Sequence, residues 1–243
     1  MIIYIFFIAH FLADFTFQST KLAHKKIHHF KYLIYHALIY AAIFLIAIFP
    51  FIKFEKAVFS YILIVMSHFF VDWIRTCVDK KIKSKVLIFA SFTVDQIVHI
   101  SILAIISYAF NLGAETTDIY IQLQHQQNFN NLVVCFLIFV ALWDPAAVFI
   151  KKLFTYIIEE NNCVQEENDP QVGRIIGKLE RIIISVLILC NQYGAIGFVL
   201  TAKSIARYKQ LEDKNFAEKY LVGTLTSISI AFLTTIILKQ LLK

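Results

Sequence analysis

The sequence predicts an all-α integral membrane protein, a bundle of about seven or eight transmembrane helices, and three observations support this fold class. Of the 243 residues, 59% are hydrophobic and only 16% are charged, against about 25% charged in a typical soluble domain. The mean hydropathy is +0.69. The apolar residues form long runs, and basic residues cluster just beyond the ends of these runs. Since each crossing needs about 20 apolar residues, eight spans would use most of the chain. We therefore expect a single transmembrane domain over residues 1–243.

Eight apolar runs define the predicted spans, each bounded by charged or polar residues. In chain order they lie near 2–18, 32–51, 57–77, 86–110, 131–150, 174–191, 194–211 and 217–238. Spans six and seven carry charged residues and are joined by almost no loop, so a helical hairpin inside the bundle or a re-entrant pair is an alternative. The chain divides into His/Asp-bearing helices (1–110), a loop with span five and an acidic cytoplasmic loop (111–172), and cationic C-terminal helices (173–243).

The net charge of +6 comes from basic residues concentrated in short segments beside the apolar runs. The two main clusters are Lys21/Lys25/Lys26/Lys31 and Arg75/Lys80/Lys81/Lys83/Lys85. Such clusters are typical of cytoplasmic loops that face anionic lipid headgroups. We therefore expect membrane lipids as partners and no nucleic acid. The N-terminus is predicted to lie outside, with the chain in the bacterial cytoplasmic (inner) membrane.

Three of the first four spans carry one His and one Asp separated by four residues. These pairs are His10/Asp14, His68/Asp72 and Asp95/His99. On an α-helix this spacing places both side chains on one face. In the predicted topology, the Asp of every pair lies one turn nearer the cytoplasm than the His. A charged Asp at the centre of a span costs about 2.5–3.5 kcal/mol, so three of them require compensation.

A divalent metal ion would supply this compensation, because carboxylates and imidazoles are ligands that Zn, Mn and Fe accept. The predicted metal ligands are His10, Asp14, His36, His68, Asp72, Asp95 and His99. Of these, Asp14, Asp72 and Asp95 are also the predicted catalytic residues. The donors suffice for one ion or a pair. The simpler explanation is that His–Asp pairs hydrogen-bond between helices and only fix their packing. Three pairs at similar depth favour a functional site.

Spans six and seven add cationic side chains on the same predicted side of the membrane. The predicted substrate-binding residues are Gln18, Gln96, Glu180, Arg181, Lys203 and Arg207. Arginine offers a planar fork and lysine a compact charge to phosphate oxygens, so a lipid phosphate beside a metal ion fits this set. The alternative is an internal salt-bridge network in which Lys203 and Arg207 extend to the headgroups.

A series of motifs runs in order along the chain, beginning with Ala9-His10-Phe11-Leu12-Ala13-Asp14-Phe15-xx-Gln18. The others are His68-xxx-Asp72, Asp95-Gln96-xx-His99, Gly177-xx-Glu180-Arg181, Ala202-Lys203-Ser204-xx-Arg207 and Tyr220-xx-Gly223-Thr224. Together, from residue 9 to about 230, they resemble the bacterial multi-pass membrane family catalogued as domain of unknown function 3307. The resemblance implies a membrane protein and no particular activity.

The sequence supports three functional hypotheses in descending order. The first is an intramembrane metal-dependent hydrolase or phosphoryl-transfer enzyme that acts on an anionic substrate, such as a lipid phosphate, at the cytoplasmic side. The metal ion would activate a bound water. The second is a transporter or relay for protons or metal ions. It ranks lower because the ionisable residues crowd one half of the bilayer. The third is a non-enzymatic membrane scaffold.

Overall fold

The computed structural model describes residues 1–157 and 170–242, and these are predominantly helical. Most of the predicted acidic loop, residues 158–169, lies outside the described residues. In the described ranges the helices are α1 (Ile2–Phe11), α2 (Thr20–His28), α3 (Phe30–Ile48), α4 (Phe54–Asp79), α5 (Lys85–Ala109), α6 (Asp118–His125), α7 (Phe129–Ile157), α8 (Pro170–Leu189), α9 (Tyr193–Ala206) and α10 (Lys214–Lys239). A π-helical turn, Leu12–Thr16, extends α1, and a 3-10 turn, Tyr208–Glu212, follows α9. The all-α prediction is confirmed.

Within the described ranges, five helices are long and apolar enough to cross a membrane, namely α3, α4, α5, α7 and α10. The segments Ile2–Thr16 and Thr20–His28 meet the same criterion together, although they are bent by 81° relative to each other, which gives up to six spans. These helices indicate a membrane protein. Length and composition alone do not confirm the predicted seven or eight spans. α8 carries too many charged side chains, and α9 has only 14 residues.

The chain forms two compact units, Met1–Leu137 and Ile138–Lys243. In the first unit, α1 packs against α3 and α5, and α4 packs against the same two helices. These four helices therefore close into a ring, a four-helix bundle. Helix α2 follows the 81° bend after α1 and packs against α3 and α4. The bundle thus has one end covered by α2.

Apolar side chains fill the half of this bundle that lies away from α2. The residues Phe6, Phe44, Ile48 and Leu103 are at most 1% exposed and belong to one continuous core. At this end the backbone N–H of Lys53 donates to the carbonyl of Glu115 at 2.9 Å. Thr117 donates in the same way to Phe51 at 3.0 Å. The loops that follow α3 and α5 are thereby joined.

In the second unit, α8 and α10 pack together and run in the same direction. Lys239, at the end of α10, reaches the end of α8, because its Nζ donates to the Ile188 carbonyl at 2.6 Å and to Asn191 Oδ1 at 2.7 Å. Helix α9 and the 3-10 turn after it must therefore run back between the end of α8 and the start of α10. The described chain therefore passes three times along this unit.

Helix α8 turns its polar face into the second unit and its apolar face outward. Lys178 pairs with Asp144 of α7, and Arg181 is only 3% exposed. On the opposite face, Ile175 and Ile183 are 51% and 47% exposed. An amphipathic helix of a soluble protein has the reverse arrangement, with its apolar stripe facing the core. The outward apolar face of α8 suits contact with lipid.

Candidate metal centre

The polar half of the first bundle contains all of the predicted metal ligands. We call them the His/Asp cluster, which consists of His10, Asp14, His36, His68, Asp72, Asp95 and His99. Every member is at most 9% exposed. Each of the four bundle helices contributes, with Asp14 placed by the π-helical turn that extends α1. The structure therefore brings the three His/Asp pairs and His36 into one buried site.

Donor atoms of Asp14 and Asp72 lie close to the facing imidazoles of His36 and His68. His36 Nε2 is 3.3 Å from both Asp14 Oδ1 and Asp72 Oδ2. His68 Nε2 is 3.4 Å from Asp14 Oδ1, 3.8 Å from Asp72 Oδ2 and 3.2 Å from His36 Nε2. A tetrahedral ion with bonds of about 2.0–2.1 Å separates its ligands by about 3.3–3.4 Å. Apart from the longer distance between His68 and Asp72, these separations are close to those of two ligands on one ion.

Three of these four atoms have a hydrogen-bond partner, since Asp72 Oδ2 accepts from Lys26 and His36 Nε2 is bonded to His68 Nε2, but Asp14 Oδ1 has none in the described part of the chain. Asp14 Oδ1 has two imidazole nitrogens at 3.3 and 3.4 Å, yet it has no hydrogen-bond partner among the described residues. The two imidazoles, His36 and His68, face each other through Nε2 atoms, and at most one of these can donate to the other. Buried polar atoms rarely lack partners. A cation at their common centre would satisfy the atoms at once.

The π-helical turn explains how Asp14 reaches the centre. The backbone N–H of Phe17 donates to the carbonyl of Leu12 at 2.8 Å, a five-residue spacing. Such turns insert one extra residue into a helix and occur often at functional sites. Ser19 then caps α2, since its Oγ accepts from the Leu22 N–H at 3.2 Å. Asp14 therefore lies at the point where α1 gives way to α2.

Two cations, Lys26 and Arg75, pair with two of the three carboxylates. Lys26 of α2 is 7% exposed, and its Nζ lies 2.7 Å from Asp72 Oδ2. Arg75 Nη1 lies 2.6 Å from Asp95 Oδ2. In the described part of the chain, neither a lysine nor an arginine forms a salt bridge with Asp14.

Sequence reasoning missed both cations as site residues. Arg75 follows Asp72 by three residues, so the helical spacing that selected the His/Asp pairs also contains a signal for this arginine. Lys26 has no comparable signal, because Lys21 and Lys25 lie in the same basic segment and are exposed.

Tyr40 and Gln96 support the cluster from the side of His10. The Tyr40 ring stacks on the His68 ring at 3.5 Å, and its hydroxyl lies 3.4 Å from His10 Nδ1. Gln96 Oε1 lies 3.3 Å from His10 Nε2, while Gln96 Nε2 donates to Asp95 Oδ2 at 3.0 Å. Both ring nitrogens of His10 thus face polar neighbours. His10 stays a candidate metal ligand as well, because one donor atom each of His10, Asp14 and His68 lie within 4.8 Å of one another.

The predicted substrate-binding residues divide between the two units. Gln96 lies against the His/Asp cluster, and Gln18 follows the π-helical turn with its Nε2 buried and unpartnered among the described residues. The remaining four are Glu180, Arg181, Lys203 and Arg207, all in the second unit. The described part of the second unit contains none of the His/Asp cluster.

The four predicted residues of the second unit contact one another or the unit's own backbone. Lys203 Nζ lies 2.7 Å from Glu180 Oε2, as the salt-bridge alternative predicts. Arg181 Nε donates to the Leu142 carbonyl at 2.9 Å, inside α7. The Arg207 guanidinium lies 5.9 Å from the centre of the Phe216 ring. These contacts fit an internal network.

The comparison with known protein families identifies the family of this chain. The sequence model of a family described as "Protein of unknown function (DUF3307)" matches residues 2–129. This range contains the whole His/Asp cluster together with Lys26 and Arg75, and it ends before the C-terminal motifs. No curated protein and no solved structure matches the chain significantly.

Proposed function

The chain belongs to the DUF3307 family, and from the geometry of its His/Asp cluster we propose that it is a membrane-embedded, divalent-metal-dependent hydrolase or phosphoryl-transfer enzyme. The observation that carries this proposal is the close approach of buried carboxylate oxygens of Asp14 and Asp72 to the imidazoles of His36 and His68, at 3.3–3.8 Å. Mixed imidazole and carboxylate ligands suit Zn, Mn or Fe. When bound, such an ion polarises a phosphoryl oxygen and lowers the pKa of water. An ion that takes five or six ligands leaves room for a substrate oxygen.

The charges around the cluster favour an anionic substrate. Asp14, Asp72 and Asp95 contribute three negative charges, Asp79 beside Arg75 contributes a fourth, and Lys26 and Arg75 contribute two positive charges, so the formal sum with neutral imidazoles is −2. A divalent ion neutralises this sum, and the ammonium and guanidinium groups remain beside it to attract an anion. The same ion would share Asp72 Oδ2 with Lys26, whose Nζ is 2.7 Å from that oxygen. Lys26 is therefore placed to release Asp72 and to bind an anionic oxygen of the substrate.

Helix α2 indicates where the substrate would come from. Lys21 and Lys25 are exposed on this helix, at the end of the bundle that holds the cluster. We propose that this end faces the cytoplasm and its anionic headgroups, with the N-terminus outside, in a bacterial inner membrane. A lipid phosphate then lies next to the site. We also propose that α8 and α9 cross the membrane, because α8 presents an apolar face and α9 with its 3-10 turn returns along α8 and α10.

A transmembrane relay fits the structure less well than an enzyme. A path for protons or metal ions would have to continue beyond the cluster, through the apolar half of the bundle. Phe6 and Phe44 are fully buried there and pack against each other with ring centres 6.2 Å apart. Neither side chain offers a proton or a ligand to a passing ion. We therefore propose that ions and substrate reach the cluster from the α2 end of the bundle.

The test is the metal content of untagged, detergent-purified protein by mass spectrometry. The parent should contain near-integral Zn, Mn or Fe, and an Asp14→Asn/Asp72→Asn variant should contain little or none. Asp144→Asn is the matched control, since it makes the same chemical change at the Lys178 ion pair of the second unit. The control should keep the metal content of the parent. A parent without metal, even after reconstitution with each ion, would contradict the metal site.

The proposed hydrolysis is tested by measuring phosphate release from vesicles that contain phosphatidic acid or a lipid diphosphate. The metal-loaded parent and the Asp144→Asn control should release phosphate, while the Asp14→Asn/Asp72→Asn variant should not. Metal binding without release from either lipid would contradict the proposed hydrolysis and leave a metal-binding membrane protein.

A further inference from the structure

A second set of donor atoms lies beside the first, at the α5 side of the cluster. Asp95 Oδ1 and His99 Nε2 are 3.4 Å apart, and both residues are at most 4% exposed. Neither atom has a hydrogen-bond partner among the described residues. Like Asp14 Oδ1 in the first set, both atoms lie close to another possible metal ligand and have no hydrogen-bond partner among the described residues.

The other carboxylate oxygen of Asp95, Oδ2, is held in place by two neighbouring residues. Asp95 Oδ2 accepts from Arg75 Nη1 at 2.6 Å and from Gln96 Nε2 at 3.0 Å. These two donors fix the orientation of the carboxylate. They leave Oδ1 directed toward His99. Metal-binding carboxylates are commonly oriented in this way, with hydrogen bonds from neighbouring residues to the ligand.

Asp72 connects the two sets of donors. Its Oδ2 belongs to the first set, while its Oδ1 has no hydrogen-bond partner among the described residues. Asp72, Asp95 and His99 each offer a donor atom, and these three atoms all lie within 4.8 Å of one another. The rings of His68 and His99 are in contact, with centres 4.3 Å apart. A carboxylate that serves both sets is the arrangement of a bridged metal pair.

We propose that Asp72, Asp95 and His99 hold a second divalent ion, so that the centre is binuclear. This inference rests on the proposed function, since it extends the same site. Paired ions about 3.5–4 Å apart stabilise both the attacking and the leaving oxygen of an in-line displacement. The substrate class is therefore a phosphate ester.

The reaction of such a substrate is a hydrolysis in which water is the only co-reactant. The oxygen of water forms a bond to phosphorus, and the bond between phosphorus and the alcohol oxygen breaks. One proton of the water ends on that alcohol oxygen. Phosphate and an alcohol are the products. Lys26 and Arg75 then lie on either side of the anionic phosphate oxygens, through their contacts with Asp72 and Asp95.

The experiment counts the ions bound per chain. Metal-stripped protein is dialysed against Mn²⁺, and bound Mn²⁺ is measured by mass spectrometry together with the spin coupling seen by electron paramagnetic resonance. The parent should bind two ions per chain with a coupled signal. Asp95→Asn and His99→Ala should each bind one ion and lose the coupling. Asp79→Asn is the matched control, because Asp79 pairs with Arg75 and supplies no donor to either set. It should still bind two coupled ions.

The number of ions bound per chain distinguishes a failure of the second metal site from a failure of the first. One ion in the parent would overturn the second site and leave the first. No ion would overturn both. Two ions in Asp95→Asn as well as in the parent would place the second ion elsewhere and overturn the assignment. Should His99→Ala fail to fold, His99→Gln keeps the size and polarity of the side chain and is measured in its place.

Discussion

Lys26 is the single residue whose surroundings differ most from what its sequence context suggests. Lysine is almost never fully buried without a partner, and Lys26 is buried against Asp72. The neighbouring Lys21 and Lys25 remain exposed. The ammonium of Lys26 occupies an oxygen that we assign to the metal ion. The two cations therefore compete.

Replacing Lys26 with Met should tighten metal binding and weaken catalysis. Without the ammonium, Asp72 loses its cationic partner, so a divalent ion gains a ligand without displacing Lys26. We expect an apparent Kd for Mn²⁺ lower by about tenfold, which corresponds to about 1.4 kcal/mol, and slower phosphate release. A competition titration against a chelator measures the Kd. Lys25→Met, at an exposed position on the same helix, should leave it unchanged. A weaker Kd in Lys26→Met would show that the lysine supports the metal site.

The residues of the cluster could be selected from the sequence because helical spacing is local. His68/Asp72 and Asp95/His99 lie on one face of a regular α-helix whatever the rest of the chain does. The depth of a residue in the membrane depends also on how the helices are tilted and packed. A count of 1.5 Å per residue from the inner end of predicted span four puts His99 about 20 Å deep, well above the other members of the cluster. In the structure its ring lies 5.4 Å from that of His10 and 4.3 Å from that of His68. Helix packing sets such distances, and the count assumes equal, untilted helices.

At the scale of single helices, α7 and α8 show how a proline is accommodated. Pro145 lies inside α7, where it has no N–H to donate and its ring crowds the preceding turn. Arg181 of α8 donates to two carbonyls of that turn, those of Leu142 at 2.9 Å and Trp143 at 3.4 Å. The buried guanidinium thus satisfies backbone groups beside the proline.

Arg181→Met should destabilise the protein by about 1–3 kcal/mol, because it removes the charge-assisted hydrogen bonds of a buried guanidinium to the carbonyls of Leu142 and Trp143. Denaturant unfolding in detergent, followed by circular dichroism, measures the loss. Arg174→Met, the same change at an exposed position on the same helix, should alter the stability by no more than about 0.5 kcal/mol. If Arg181 instead binds substrate, its replacement should lower phosphate release per folded molecule. Equal stability of the two variants would contradict the packing role.

Other features of the helices were less visible in the sequence. The predicted first span, 2–18, is one apolar run, yet its helix changes to a π-helical turn at Leu12. Such a turn depends on the packing of Asp14 among other helices, which no local pattern records. The segment after it reads as a basic loop. It forms α2 because Ser19 caps it and its apolar side packs on α3 and α4.

At the scale of the whole molecule, two cysteines report the path of the chain. Cys77 lies near the end of α4, and Cys190 follows α8, and both are exposed. In the proposed topology Cys77 faces the cytoplasm. If α8 crosses the membrane, Cys190 lies on the outer side.

Labelling with a membrane-impermeant maleimide tests this path in single-cysteine variants. Intact spheroplasts should label Cys190 and leave Cys77 unlabelled until the membrane is permeabilised. A Cys190 that reacts only after permeabilisation would show that α8 does not cross, or that the orientation is reversed. Cys77 distinguishes these two outcomes, because a reversed chain would label it in intact spheroplasts.

The apolar half of the first bundle also has an electrical consequence. A membrane voltage falls mainly across low-dielectric material, and here that material is the core around Phe6, Phe44 and Leu103. A charge gains about 2.3 kcal/mol per 100 mV only if it moves through that drop. Ions that enter the cluster from the α2 side do not cross this core, so the voltage does not change their binding energy. Their occupancy should follow the free ion concentration in that one compartment and stay the same whether the membrane is energised or collapsed.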